Sequence, residues 1–319
     1  MSSSLPCSVA IVGAGAMARE HIRAFQDVPG VTVAGIHSRT RGRAAAIAAE
    51  FGVDVVAGSI EELYEVTRAQ LVVIAVPELA ASPVSHACFA YPWVALREKP
   101  AGYNVRDATA IRDAARRAGR RAFVALNRRT YGSTRSALNA LRDDSGPRFI
   151  RVLDQQDQSE ATSSGQPPEV VANWMYANSI HTIDYLRVFG RGAVRAVEPV
   201  LRWDPSHPGV VVGRVEFESG DVGLYEGVWN GPGPWAVQVT TPSQLWELRP
   251  LERAGVQLRG ERRLQPVEVA PVDVDFKPGF RRQAETAVLA ALGQPSECPT
   301  LDDGLETMRL IQAIFGLST

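Results

Sequence analysis

Two side chains stand out as able to move a proton. Lys99 lies in Arg97-Glu98-Lys99-Pro100, just after an apolar run. After a parallel strand such a lysine would stand at the sheet edge where folds of this kind bind ligands. His181 begins His181-Thr182-Ile183-Asp184 on a stretch with helical spacing. Histidine suits acid–base work because its unperturbed pKa of about 6.5 lies near operating pH. Each has a plainer alternative: a surface lysine ahead of a proline, and a packed histidine on an apolar helix.

A third feature points to phosphate. Gly13-Ala14-Gly15-Ala16-Met17-Ala18 directly follows the apolar run Val9-Ala10-Ile11-Val12 and opens a helix. Gly13 suits a tight turn, Gly15 allows close approach of a pyrophosphate, and Ala18 permits close helix–strand packing. The helix N-terminus adds unpaired N–H groups and a positive dipole end. In such a unit a carboxylate about 20 residues on would hold the free ribose hydroxyl of NAD. The sequence has His37-Ser38-Arg39-Thr40-Arg41 there instead. Two hydroxyls and an arginine suit a 2′-phosphate, so NADP(H) is expected as the preferred cofactor and NAD(H) as the alternative.

Elements that would position these residues follow from patterning. Apolar runs at Ser8–Val12, Val31–Ile36, Val53–Val56, Leu71–Val76, Trp93–Leu96 and Ala122–Leu126 read as strands. Helical stretches lie at Ala16–Gln26, Arg41–Phe51, Ile60–Thr67, Val84–Ala90 and Asp107–Ala118. Strands apolar throughout, alternating with helices, predict a parallel sheet covered on both faces. After about Phe149 the rhythm changes. Runs at Phe149–Gln155, Val194–Trp203, Val210–Phe217, Val222–Trp229, Ala236–Thr240 and Leu245–Leu248 predict an antiparallel sheet. Helices are expected at Ala172–Phe189, Phe280–Leu292 and Leu301–Phe315, and a loop over the site at Ser159–Pro168. The fold class is α/β. It combines an N-terminal Rossmann domain, residues 1–126, with a C-terminal α+β domain, residues 127–319, built on a large, mostly antiparallel open sheet.

Composition excludes other classes. With 34 basic and 35 acidic residues the formal net charge is −1, which gives no basic surface for nucleic acid. Cys7, Cys88 and Cys298 are isolated, with no CxxC spacing for zinc or a disulfide framework, and no metal site is expected. The first eight residues carry no basic stretch, and no apolar run reaches the ~18 residues that span a bilayer. A cytoplasmic protein with no membrane partner is the expectation.

Taken in order, Gly13–Ala18, Ala75-Val76-Pro77, Glu98-Lys99-Pro100 and His181-Thr182-Ile183-Asp184 with Phe189-Gly190 make the chain resemble the Gfo/Idh/MocA oxidoreductases, the group of glucose–fructose oxidoreductase and inositol dehydrogenase. The resemblance extends to Thr300-Leu301-Asp302-Asp303-Gly304. It implies hydride transfer between a nicotinamide and a sugar, nucleotide sugar or cyclitol, with Lys99 and His181 as catalytic residues. Cofactor contacts are expected at Gly13, Gly15, Ala16, Met17, Ser38, Arg39, Thr40, Val76, Pro77, Glu98 and Lys99. Substrate contacts are expected at Asn127, Arg129, Tyr131, Gln156, Trp174, Asn178 and His181, with Asp154 and Gln155 as further candidates. It also implies a homodimer or homotetramer.

The sequence departs from the family in two places. Ala177 stands where many members carry an aspartate one turn before the histidine, and Asn173, Trp174 and Met175 replace the usual glycines. Asn178 or Asp184 could then partner His181, and Tyr176 is a further proton donor to consider. Val76-Pro77-Glu78 replaces Thr-Pro-Asn, with Ala81 at a histidine position. Ala177 and the lost glycines leave a second function open, a non-catalytic NADP-sensing regulator; the resemblance implies a third, an NAD-dependent glycoside hydrolase, which fits poorly with a site shaped for a 2′-phosphate. Arg129 could bind a carboxylate or phosphate bidentately, or pair with a carboxylate of the protein itself.

Overall fold

The computed structural model describes residues 6–317. The first five residues, part of the N-terminal stretch read above for targeting signals, lie outside them. The chain forms two compact units: one runs to Asn127 and takes in Val272–Leu305, and the other holds Arg128–Pro271 and the chain from Glu306 onward.

The first unit alternates strand and helix: β1 (Cys7–Val12), α1 (Ala16–Gln26), β2 (Val31–His37), α2 (Arg41–Phe51), β3 (Val55–Ala57) and α3 (Ile60–Thr67). It continues with β4 (Leu71–Ile74), α4 (Glu78–Phe89), β5 (Val94–Glu98), α5 (Val105–Arg117) and β6 (Ala122–Ala125). Every strand pairing is parallel, and the order is β3-β2-β1-β4-β5-β6. That is the doubly wound order, which reverses between β1 and β4 and opens a ligand crevice at the carboxyl ends of those strands. Local signals explain the helix starts. Ser59 accepts from Glu62 N at 3.0 Å ahead of α3, and Asn104 accepts from Asp107 N at 2.9 Å ahead of α5. Helix α4 begins six residues earlier than the pattern suggests, because Pro83 lies inside it and reads as a break.

In the second unit a 3₁₀ turn (Asn127–Thr130) leads to α6 (Gly132–Ala140), β7 (Phe149–Gln156), α7 (Gln158–Ser163) and α8 (Pro168–Ala172). A π turn (Met175–Ser179) runs into α9 (Ile180–Phe189). Strands β8 (Val194–Leu201), β9 (Val210–Phe217), β10 (Val222–Trp229), β11 (Ala236–Thr240), β12 (Gln244–Leu248), β13 (Ala254–Leu258) and β14 (Gln265–Pro266) follow. With β7 they form an eight-stranded sheet in the order β14-β13-β12-β11-β7-β10-β9-β8. Its pairs are antiparallel except β7 with β10, which is parallel. One face is covered, as the alternation in β9 predicts: Val211, Val215 and Phe217 are buried, while Arg214 and Val210 are exposed.

Three expectations are corrected. The segment read as a loop at Ser159–Pro168 is helical over its first half, as α7; Asp157 caps it by accepting from Ser159 N and Glu160 N. The single helix expected over Ala172–Phe189 is instead α8, the π turn and α9. The stretch Val272–Leu305, assigned to the C-terminal domain, packs with the first unit. It carries α10 (Val272–Asp275), α11 (Phe280–Ala291) and the start of α12 (Leu301–Phe315). The reason is hydrophobic: Phe280, Ala284, Ala287 and Val288 of α11 share a buried core with Ile22 and Phe25 of α1.

Candidate functional site

The glycine turn has the geometry a pyrophosphate requires. Gly13 has φ +127°, and a Cβ there would lie 2.0 Å from the Ala75 carbonyl oxygen. Its N–H donates to the His37 carbonyl at 2.8 Å. Gly13 is therefore required by the protein's own packing. Gly15, the N-cap of α1, is different: a Cβ there would meet nothing within 4 Å, and Gly15 and Ala16 are exposed. Open space at a helix N-terminus with no acidic residue in its first turn is what an anionic ligand needs. The residues present fit a dinucleotide. Lys277 Nζ stands 3.6 Å from Met17 Sδ and places a cation beside this turn. Sequence reasoning missed it because it lies 260 residues away in the chain.

At the end of β2, Ser38 Oγ accepts from Thr40 N at 3.3 Å, while Arg39, Thr40 and Arg41 are exposed. Among the described residues, neither Arg39 nor Arg41 forms an ion pair. Glu62 accepts from Gly58 N at 2.6 Å. Past β4, Val76 is half-buried, Pro77 is exposed as the N-cap of α4, and Ala81 is buried.

Lys99 follows β5, half-buried, between two anchors. Glu98 Oε1 lies 2.7 Å from His21 Nε2 on α1. Burial works against the Glu98 charge, but the His21 bond and the neighbouring charges of His21 and Lys99 hold its carboxyl below the ordinary value. Its carboxylate, expected at the cofactor, is engaged with α1. On the other side the Arg97 guanidinium, fully buried, donates to the Ala101 carbonyl. Burial brings its pKa down to about 10.

In the second unit His181 is buried in the first turn of α9, with its ring centroid 6.2 Å from that of Trp235. Trp235 Nε1 donates to the Gln155 carbonyl at 2.7 Å, and Arg128 lies over the Trp235 ring at 5.0 Å. Trp235 was not foreseen because it follows Gly231-Pro232-Gly233-Pro234 and reads as loop. Asn178, on the π turn, donates to Gln156 Oε1 at 2.8 Å. Gln156 in turn donates to Asp154 Oδ1 at 2.7 Å, and Tyr225 OH donates to Asp154 Oδ2 at 2.8 Å. Asp154 is buried, and the loss of water pushes its pKa up to about 6. Trp174 Nε1 is buried with no hydrogen-bond partner among the described residues. Tyr176 is buried, its pKa pushed up to about 12, and so stays neutral at physiological pH.

Other candidates are placed elsewhere. Arg129 pairs with Asp184 through two bonds of 2.7 Å, so the structural alternative given for this arginine describes what is found. Asp184 also accepts from Thr307 Oγ1 at 2.7 Å and is engaged there rather than with the His181 ring. Asn127 donates to the Pro278 carbonyl at 3.1 Å. Tyr131 is buried as the N-cap residue of α6. Gln155, on the opposite face of β7 from Asp154 and Gln156, donates to the Gly231 carbonyl at 3.0 Å. Ala177 is buried and brings no polar side chain to the turn before His181. Among the described residues, no helix is long and apolar enough to cross a membrane, and no cluster of metal-ligating side chains is found.

Comparison with known proteins agrees with this geometry. Residues 7–126 match the GFO_IDH_MocA oxidoreductase family, described by its NAD-binding Rossmann fold. The chain is 22% identical over 279 residues to 4-carboxy-2-hydroxymuconate-6-semialdehyde dehydrogenase of Sphingobium, covering 84% of this chain and 85% of that protein. A dehydrogenase from Chromobacterium violaceum shares the fold with a TM-score of 0.83 at 19% identity, over 97% of this chain and 94% of the other. Levoglucosan dehydrogenase in complex with NADH and L-sorbose superposes with a TM-score of 0.82 at 18% identity, over 98% and 96%.

Proposed function

We propose that this chain, whose residues 7–126 belong to the NAD-binding Gfo/Idh/MocA oxidoreductase family, is an NADP(H)-preferring oxidoreductase acting on a carbinol or ketone of a sugar, nucleotide sugar or cyclitol. The observation that carries the reading is the contrast at the glycine turn. Gly13 is filled by the protein's own backbone, whereas the space at Gly15 is open for a phosphate. The half-buried Ser38 and the exposed Arg39 and Thr40, with no carboxylate among them, support a 2′-phosphate. Levoglucosan dehydrogenase, a structural relative bound to L-sorbose, supports a sugar-like substrate.

Bound at the turn, the dinucleotide supplies the hydride chemistry of its nicotinamide. The Lys99 ammonium polarises the substrate carbonyl or stabilises the alkoxide, and His181 takes or returns the hydroxyl proton. Titrating the purified protein with NADPH and with NADH by nicotinamide fluorescence is the first test, and binding of neither ends the reading. Ala177 favours a second reading, a dinucleotide-sensing regulator. That reading predicts NADPH binding with no turnover on any carbinol.

A further inference from the structure

The buried chain Tyr225–Asp154–Gln156–Asn178 has a direction. An ionised carboxylate only accepts hydrogen bonds. Asp154 takes the Tyr225 hydroxyl on Oδ2 and the Gln156 amide nitrogen on Oδ1. Gln156 is planar and fully buried, so donating with Nε2 leaves Oε1 to accept at its other edge. Asn178 meets that oxygen with Nδ2 at 2.8 Å. The end of the chain is then the Asn178 Oδ1, on a partly exposed residue of the π turn. It accepts no hydrogen bond from the described residues. Turning either amide over would set oxygen against oxygen, or nitrogen against nitrogen, inside the sheet.

We infer that Asp154 fixes the hydrogen-bond polarity of Asn178, so that the protein presents a lone acceptor there and takes a ligand hydroxyl in preference to a carboxylate or phosphate oxygen. Asp154 is a positioning residue in this scheme, because it reaches the ligand only through Gln156 and Asn178. The inference rests on the functional reading above in placing Asn178 on the substrate side. It bears on substrate class: Arg129, the group that could have held an anion, is paired with Asp184. What remains at Asn178 suits the neutral, hydroxylated part of a substrate. A π turn is a common place for such a group, because the widened turn re-aims one side chain out of the helix pattern. The groups facing Asp154 are Tyr225 from β10, Gln156 from β7, and Ser179 and Thr182 from the π turn and α9.

Side-chain amide NMR on protein labelled with ¹⁵N at Asn and Gln tests this on the whole chain, with the Asn178 signal identified by its loss in Asn178→Ala. In the wild type, the Asn178 amide proton facing Gln156 is expected to exchange with solvent about tenfold more slowly than that of an exposed asparagine. Asp154→Leu should abolish the protection, Asp154→Asn should weaken it by freeing the direction, and Tyr225→Phe should keep it. Glycerol serves as the hydroxyl probe and acetate as the anion probe, and only glycerol should move the Asn178 signal. Fast exchange in the wild type, or protection surviving in both Asp154 variants, overturns the fixed polarity. A shift with acetate, or with neither probe, overturns the acceptor assignment. NADPH binding is read separately by fluorescence, so its loss would remove the functional reading while leaving this result standing.

Discussion

The His21 imidazole on α1 stands 2.7 Å from the Glu98 carboxylate, so the helix that opens at the glycine turn is tied to the residue before Lys99. His21 is 1% exposed at its side chain and Glu98 12%, so neither group is well hydrated. Removing one partner of such a pair leaves the other buried without its bond. Glu98→Ala should lower stability by about 3 kcal/mol, and Glu98→Gln by less, because the amide oxygen can still accept from a neutral imidazole. The carboxyl is held below its ordinary value, so its contribution is present above the unfolded pKa of about 4.3 and is lost as pH falls through the folded one. Melting curves of wild type and Glu98→Gln should therefore converge in acid. Curves that stay a constant distance apart would show that the charge is not what matters.

The two glycines of the turn should separate folding from binding. A Cβ at Gly13 meets the Ala75 carbonyl at 2.0 Å on a backbone with φ +127°, so Gly13→Ala should cost at least about 2 kcal/mol of stability. At Gly15 the same methyl group meets nothing, and Gly15→Ala should melt with the wild type. Its NADPH affinity should nevertheless fall by about tenfold, because the methyl group occupies the phosphate's approach. Equal NADPH binding by wild type and Gly15→Ala would mean the open space is not the cofactor's.

Much of the first unit was legible because its signals are local. The bounds of α1, α2 and α3 follow from apolar spacing, from a glycine such as Gly52 closing α2, and from a serine cap at Ser59. The second unit was less so. Strand β13 carries Gly255 and is followed by charged residues, so Ala254–Leu258 lacks a clear strand period. The π turn is invisible in sequence because Met175, Tyr176 and Ala177 keep the apolar character of the helix around them. Partnerships were the hardest to read. Arg129 was recognisable as a bidentate group, but nothing local says that Asp184, 55 residues on, occupies it. Likewise Asp154 and Gln156 were singled out, whereas their link to Tyr225, 71 residues from Asp154, follows only from strand pairing.

Arg129 and Asp184 supply a prediction that distinguishes a structural pair from a substrate contact. The pair is largely buried, with side-chain exposures of 21% and 5%, and Thr307 completes the carboxylate's bonds. Burial alone would raise the Asp184 pKa, but the charge of Arg129 and the bonds it receives hold it below the ordinary value. Asp184→Asn should destabilise the protein by about 3 kcal/mol in chemical denaturation. That loss should be full at neutral pH and shrink as pH falls through the folded pKa. A variant with wild-type stability and only a raised KM would place Arg129 with the substrate instead.

Arg39 should set the choice between cofactors. It is exposed after β2 and forms no ion pair among the described residues, so its removal costs the fold little. A phosphate gained or lost opposite one guanidinium is a charge-assisted bond, worth about tenfold in affinity at an exposed site. Arg39→Ala should weaken NADPH by that factor, leave NADH unchanged, and flatten the salt dependence of NADPH binding. Titrations at two ionic strengths decide it, and an equal loss for both cofactors would sink the assignment.

Asp154 makes the sharpest pH prediction, since its carboxyl is buried and its pKa is raised from 3.8 to about 6. A raised acid binds its proton more tightly in the folded state, so folding is favoured at low pH and loses this advantage as pH rises. Between about pH 4 and pH 6 the wild type should lose stability from this group at roughly 1.4 kcal/mol per pH unit. Asp154→Asn has no such proton to lose. Its melting temperature, measured against that of wild type, should therefore climb from pH 4 to pH 7 and then level off. Parallel curves across that range would show that burial leaves the Asp154 carboxyl at its unfolded pKa. An ionised group that costs stability at working pH needs a use. Here that use is to keep Gln156 and Asn178 pointing one way, so Asp154→Asn should gain stability above pH 6 while weakening the protection of the Asn178 amide.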